Sequence, residues 1–159
     1  MSASDALPDL GVVIGSVLQR VPDEQKPLLI AIAERRAAER YRGWAAEIAE
    51  PGRSQLLACA DREEQIAGLV EALYPDAGAV QRDILAKNPD LDEVNRTLFA
   101  GRPLAQQFTL QARGERLGAA TWRAFAEAAI GRGHRDVFLR CAPLEEESAA
   151  VLEALLKTE

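Results

Sequence analysis

The chain has 159 residues, of which 48% are hydrophobic and 28% are charged, and its formal net charge is −6. This balance is typical of a folded soluble domain and excludes a disordered tail protein. The acidic charge argues against a nucleic-acid binder, and no apolar run approaches the roughly 18 residues that a membrane span needs. The first ten residues show no secretory leader pattern. We therefore expect a cytoplasmic protein that binds neither nucleic acid nor membrane.

Helical periodicity extends through nearly the whole chain, and no segment alternates as a strand does. Residues 1–10 are expected to be mostly irregular, and a short helix over 8–20 precedes a long helix over 26–50. Ser54 is the predicted N-cap of a second long helix over 54–73.

A long connection over 75–102 follows, with two short predicted helices over 78–87 and 91–100. The second half of the chain then repeats the layout with two long predicted helices over 103–130 and 136–157. Pro143 lies inside the last helix and is expected to kink it, because proline removes a backbone hydrogen bond.

Short turns make each pair of long helices an antiparallel hairpin. The connection over 75–102 is long enough to span the length of the bundle. This is the topology of a four-helix bundle with one crossover. The sequence thus predicts an all-α fold: an N-terminal segment with a short helix over 1–25, then a bundle over 26–159.

The two halves also match in sequence, which indicates an internal repeat at offsets of 81 and 82 residues. The first frame is Glu34-x-x-Ala37-x-x-x-Tyr41-x-x-Trp44, which matches Glu115-x-x-Gly118-x-x-x-Trp122-x-x-Phe125. The second pairs Cys59 and Glu63 with Cys141 and Glu145.

Each long helix has an apolar stripe with heptad-like spacing and one glutamate near its middle. These glutamates are Glu34, Glu63, Glu115 and Glu145. Burying an unpaired carboxylate costs several kcal/mol, and four converging carboxylates also repel one another. They therefore need a cation, shared protons or arginine partners.

This pattern resembles the ferritin-like superfamily, close to its rubrerythrin-type members, over about residues 27–157. In that family the first and third helices each give one glutamate to a metal pair, and the second and fourth each give Glu-x-x-His. The resemblance implies that Glu34 and Glu115 match the lone glutamates, while Glu63 and Glu145 match the glutamates of the two Glu-x-x-His motifs.

The two histidine positions of that pattern are not filled by histidine. They contain Ile66 and Ser148, and the alternative frame with Glu64 and Glu146 as ligands places alanine there. The single histidine, His134, is predicted to be an exposed residue of the turn before the last helix. A di-iron centre with imidazole on each metal is therefore not expected.

Two hypotheses for the function follow. In the first, the protein is a degenerate bundle without a tight di-iron site that acts as a binding or interaction module. Its acids would then be satisfied by protons or by some of the sixteen arginines, which suit buried ion pairs better than the three lysines. In the alternative, the four glutamates alone bind a weak pair of Mn or Fe ions, with metal-binding or oxidoreductase activity. Neither hypothesis decides whether the chain is an enzyme or assigns a catalytic residue.

Three smaller expectations complete the prediction. The apolar faces of 8–20 and 78–100 should cap the bundle, and any remainder would pair two copies as a two-fold homodimer. Cys59 and Cys141 should be free, buried thiols on opposite sides of the acid layer. Arg40 and Arg42 should lie on the outer face of the first long helix. No protein or small-molecule partner is assigned.

Overall fold

The computed structural model describes residues 6–158, which contain seven α-helices and no strand. The helices are α1 Leu10–Leu18, α2 Lys26–Ala45, α3 Gly52–Glu71, α4 Ala77–Lys87, α5 Leu91–Phe99, α6 Leu104–Ala128 and α7 Arg132–Lys157. A short 3-10 turn over Asp23–Gln25 precedes α2. The all-α prediction is confirmed. The prediction of an irregular start falls partly on residues 1–5, which lie outside the described residues.

The predicted start of α3 is wrong. Ser54 is not its N-cap, because the helix begins at Gly52 directly after Pro51. The Ser54 backbone N–H instead donates to a Glu50 carboxylate oxygen at 3.1 Å, so a preceding acidic side chain satisfies this amide. α2 also ends at Ala45, earlier than predicted.

The predicted start of α7 is wrong as well. Gly131 has a φ of 107°, a conformation that L side chains rarely adopt, and the helix begins immediately after it. His134 therefore lies in the first turn of α7. The chain stays α-helical through Pro143, so the last long helix is not divided there.

The four long helices surround a common core. α2 packs against α3, α6 against α7, and α3 against α7. Long side chains close the remaining side, where Trp44 Nε1 of α2 donates to Gln107 Oε1 of α6 at 2.9 Å. Across residues 6–158, no helix has both the length and the apolar character needed to cross a bilayer.

The crossover helices run along α2. Ile84 of α4 packs with Leu29 near the start of α2, and Phe99 of α5 contacts Trp44 near its end. Gly101, with a φ of 75°, then turns the chain into α6. The crossover thus connects the two hairpins along the full length of α2.

Apart from a small cluster between α2 and α4, the core consists of two apolar clusters. One includes Ile30, Val70, Trp122 and Phe138, and the other includes Tyr41, Leu56, Phe108 and Leu152. Each cluster takes side chains from all four long helices. On every one of these helices, the predicted glutamate lies in sequence between the residues of one cluster and those of the other.

The cysteines occupy different clusters. Cys59 belongs to the cluster with Tyr41, and Cys141 belongs to the cluster with Trp122. Both are buried and neither forms a disulfide. The prediction of two buried, free thiols is confirmed.

Candidate metal centre

The structure brings the four predicted glutamates together. One carboxylate oxygen from each of Glu34, Glu63, Glu115 and Glu145 lies within 4.8 Å of the others. The residues are 7%, 0%, 2% and 1% exposed, in the same order. Because each comes from a different long helix, the four carboxylates form one layer across the core.

The alternative frame does not reach this layer. Glu64 is partly exposed and forms ion pairs with Arg35 and with Arg42. Glu146 is also partly exposed and pairs with Arg123. These acids belong to the outer surface, where water and arginine solvate them.

The histidine positions are buried without offering a metal ligand. Ile66 is apolar, and Ser148 accepts a hydrogen bond from Arg62 Nε at 3.0 Å. Arg62 also donates to Cys59 Sγ at 3.1 Å. His134 is half-buried and packs against Tyr74, with ring centroids 5.2 Å apart.

No arginine enters the acid layer as a direct partner. Within residues 6–158, none of the four glutamates lies within 4.0 Å of a lysine, arginine or histidine nitrogen. Arg116, on the same helix as Glu115, pairs with Glu153 at the surface.

Three neutral side chains donate to two of the acids. Tyr41 Oη donates to Glu115 Oε1 at 2.6 Å, and Gln111 Nε2 donates to the same oxygen at 2.8 Å. Trp122 Nε1 donates to Glu145 Oε1 at 2.9 Å. In the sequence, the two aromatic residues are indistinguishable from ordinary core residues. Gln111 offered a signal, since it is a polar residue on an apolar stripe one turn before Glu115.

The prediction that Arg40 lies on the outer face is wrong. Its guanidinium donates to Gln111 Oε1 and to Asn95 Oδ1, both at 2.6 Å. It also stacks over Phe99, with Cζ 3.8 Å from the ring centroid. Amide oxygens and an aromatic face from α5 and α6 therefore draw the side chain inward, and its burial lowers the pKa of Arg40 to about 10.

Burial makes three of these acids reluctant to ionise. It raises the pKa of Glu63 and of Glu145 well above the ordinary carboxyl value, and the neighbouring carboxylates raise both pKa values further. Burial also raises the pKa of Glu34. Neither carboxylate oxygen of Glu63 has a hydrogen-bond partner among the described residues. The layer therefore favours the binding of protons or of a cation.

Gly118 makes room for one of the four carboxylates. A Cβ at this position would lie 3.0 Å from the Glu145 carboxyl carbon and 3.0 Å from its Oε1. Real Cβ atoms rarely approach so closely, so any larger residue would displace the Glu145 side chain. The small residue in the repeated frame thus has a packing reason in α6.

Comparisons of this chain with family models, with curated proteins and with solved structures found no match. The function of the layer is therefore inferred from its own side chains. Four carboxylates without imidazole or thiolate form a donor set that suits hard cations such as Mn²⁺, Mg²⁺ and Ca²⁺.

Proposed function

We propose that this protein binds divalent cations through an all-glutamate site in a ferritin-like four-helix bundle. The main support is the convergence of four buried carboxylates to within 4.8 Å, with no ion-pair partner among residues 6–158. Glu34, Glu63, Glu115 and Glu145 are the proposed ligands.

Charge balance favours a cation at this site. Tyr41, Gln111 and Trp122 stabilise two of the carboxylates, but neutral donors do not cancel negative charge. Four ionised carboxylates in one buried layer repel one another, and burial of each costs several kcal/mol without a counter-charge. One or two divalent cations would offset this cost at neutral pH.

The donor set decides which metal fits. Ile66 offers no ligand atom, and the Ser148 hydroxyl is already engaged by Arg62, so a di-iron centre with imidazole on each metal does not fit these residues. Carboxylate oxygens alone fit Mn²⁺ best among the redox-active candidates, and Fe²⁺ less well. Without imidazole ligands, the site is expected to bind its metal weakly.

Three features support the ferritin-like part of the proposal. The long helices form two antiparallel hairpins, and the crossover between them runs along α2. Each long helix gives one glutamate to the same layer. Cys59 and Cys141 lie in opposite clusters, as a pseudo-two-fold axis through the layer would place them.

A second candidate is the metal-free bundle that acts as a binding or interaction module. The raised pKa values of Glu63 and Glu145 favour it, because protons shared within the layer would also neutralise the acids. The two-fold homodimer stays a prediction under both candidates.

Metal analysis and thermal unfolding separate the two candidates. Protein purified without added metal is analysed for its elements, and its melting temperature is then measured with Mn²⁺, Fe²⁺ and Mg²⁺. A ligand that binds only the folded state at 100 times its Kd stabilises it by about 2.7 kcal/mol. Mn²⁺ should therefore raise the melting temperature clearly.

Two matched variants locate the effect. Glu63→Gln should abolish the rise with Mn²⁺, whereas Glu64→Gln, one position along and ion-paired at the surface, should retain it. An unchanged melting temperature at millimolar concentrations of all three metals would favour the metal-free module.

A further inference from the structure

An apolar cavity lies on the crossover side of α2, apart from the acid layer. It has a volume of about 150 Å³, is partly open to solvent and is lined by residues of α1, α2 and α5. Aliphatic side chains form most of its wall, including Val13, Val17, Leu29, Ile32, Val94 and Leu98. α5 has no fully buried residue, so its apolar face is only partly covered by the protein itself.

An open surface depression adjoins this first cavity. It has a volume of about 400 Å³, lies between α2, α5 and α6, and is lined by three arginines and one glutamate. Arg36 and Asn95 line both cavities. The two therefore form one groove, which is aliphatic at one end and rich in arginine at the other.

Arg40 is the arginine of this groove that has no carboxylate partner. Arg36 pairs with Asp92 at 2.8 Å, and Arg96 pairs with Glu93. No carboxylate of residues 6–158 lies within ion-pair distance of Arg40, which uses its guanidinium only for the Gln111 and Asn95 amide oxygens. An arginine has five N–H donors, so three remain for a ligand.

The position of Arg40 is fixed before any ligand arrives. Its guanidinium is stacked over Phe99 and held by two amide oxygens, so little side-chain entropy remains to be lost on binding. A guanidinium with free donors binds a carboxylate in a bidentate manner. The arginine-rich end of the groove is therefore complementary to a carboxylate head group.

We propose that the groove binds an aliphatic carboxylate, with its chain in the apolar cavity and its head group on Arg40. An apolar cavity of about 150 Å³ accommodates benzene, so about six carbons fit here. With the carbons that lead to the head group, the ligand is a carboxylate of about eight carbons. The ligand would contact none of the four glutamates, although Gln111 connects Arg40 to Glu115 by accepting from the first and donating to the second.

Calorimetric titration of the metal-free protein with octanoate tests the proposal. Octanol has the same chain without the charge, and butyrate has the charge without most of the chain. Octanoate should bind at least about tenfold more tightly than octanol, since a hydrogen bond to a charged group contributes about that factor. From butyrate to octanoate, affinity should rise about fourfold per methylene.

Two pairs of variants assign the ends of the groove. Arg40→Gln should weaken octanoate about tenfold, while Arg113→Gln, an exposed arginine on α6, should leave the affinity unchanged. Val94→Phe should fill the chain cavity and abolish binding. Leu57→Phe is its control, because Leu57 is 42% exposed on α3. Circular dichroism of each variant confirms that it is folded.

Several results would overturn the proposal. Equal affinities for octanol and octanoate, or unchanged binding by Arg40→Gln, would remove the role of Arg40. Absence of octanoate binding, together with a dimer in light scattering that Val94→Lys dissociates, would make the groove a subunit interface. None of these measurements includes a metal, so failure of the metal site leaves them interpretable.

Discussion

The two hairpins contribute unequally to the acid layer. On the α6–α7 side, Glu115 and Glu145 together accept three hydrogen bonds from Tyr41, Gln111 and Trp122. On the α2–α3 side, Glu34 and Glu63 accept none from a donor side chain of residues 6–158. One half of the layer is therefore positioned by the protein itself, whereas the other depends on protons or a cation.

This asymmetry arises within a symmetric sequence pattern. Tyr41 and Trp122 occupy matching positions in the two halves, yet both donate to acids of the second half. Tyr41 reaches across from α2 to Glu115, while Trp122 donates to its neighbour helix at Glu145. A repeat in sequence therefore does not guarantee equal hydrogen bonding in the two halves.

The largest effect is expected from removing the donor to Glu145. Trp122→Phe should destabilise the protein by about 2–4 kcal/mol, because it leaves a buried carboxyl without its donor and also creates a cavity. Trp44→Phe is the matched control, since its partner Gln107 is a neutral amide in a part-buried position. Denaturant unfolding measures both, and equal losses would contradict a special role for Trp122.

A smaller effect on stability, with a defined pH dependence, is expected from Glu63 on the α2–α3 side of the acid layer. The folded-state pKa of Glu63 is raised above its ordinary value of 4.5, so the folded protein retains a proton that the unfolded chain releases. Stability of the metal-free protein should therefore fall as pH rises from about 4.5 through the raised folded-state pKa. Glu34, Glu115 and Glu145 face this group, and the raised pKa values of Glu34 and Glu145 act in the same direction.

Glu63→Gln tests this pH dependence directly. At about pH 8 the variant should be about 1–3 kcal/mol more stable than the parent without metal, and near pH 4 the two should be alike. Glu64→Gln should show no such gain, because Glu64 is ion-paired at the surface. Urea unfolding across this pH range gives the slope of the unfolding free energy against pH. Parallel plots for Glu63→Gln and its parent would exclude a buried, protonated Glu63.

Gly118→Ala is expected to have an effect of about 1 kcal/mol. The new Cβ would press on the Glu145 carboxylate and destabilise the protein, although alanine is usually the better helix residue. Gly68→Ala on α3 has open space around its Cβ and should stabilise by about 0.5–1 kcal/mol. The opposite signs should appear in thermal unfolding, and stabilisation by both would mean that Glu145 moves freely.

The smallest effect concerns the two thiols and changes only the rate at which they react. Burial raises the pKa of Cys59 and raises that of Cys141 to about 12, so both should react slowly with a thiol reagent until the protein unfolds. Arg62 donates to Cys59 Sγ and favours its thiolate. Cys59 should therefore react faster than Cys141, and Arg62→Gln should reduce the difference.

The acid layer could be predicted from sequence because its signal is local. A glutamate such as Glu63, surrounded by apolar residues at helical spacing, has to face the core if the helix forms. Four such helices joined by short turns and one crossover leave few arrangements. The same reasoning located the helices, although Ser54 is not the N-cap of α3 and its own backbone N–H is satisfied by Glu50.

The partners of these acids could not be predicted, because they depend on contacts between distant segments. Arg40 appears in sequence as one of several arginines on a charged face, and only the packing of α5 brings Asn95 and Phe99 to it. Tyr41 and Trp122 look like ordinary core aromatic residues until their polar atoms are placed. An apolar stripe with one glutamate is expected whether the acids bind protons or a metal, so the pattern does not distinguish the two.

The division of the core into two apolar clusters affects how the protein unfolds. Each cluster combines side chains from α2, α3, α6 and α7, so neither hairpin retains an apolar core once it separates from the other. The clusters at the two ends are also connected by every long helix. Residues 26–158 should consequently lose their structure in a single cooperative transition, and a chain cut within the crossover should fold only when both fragments are present together.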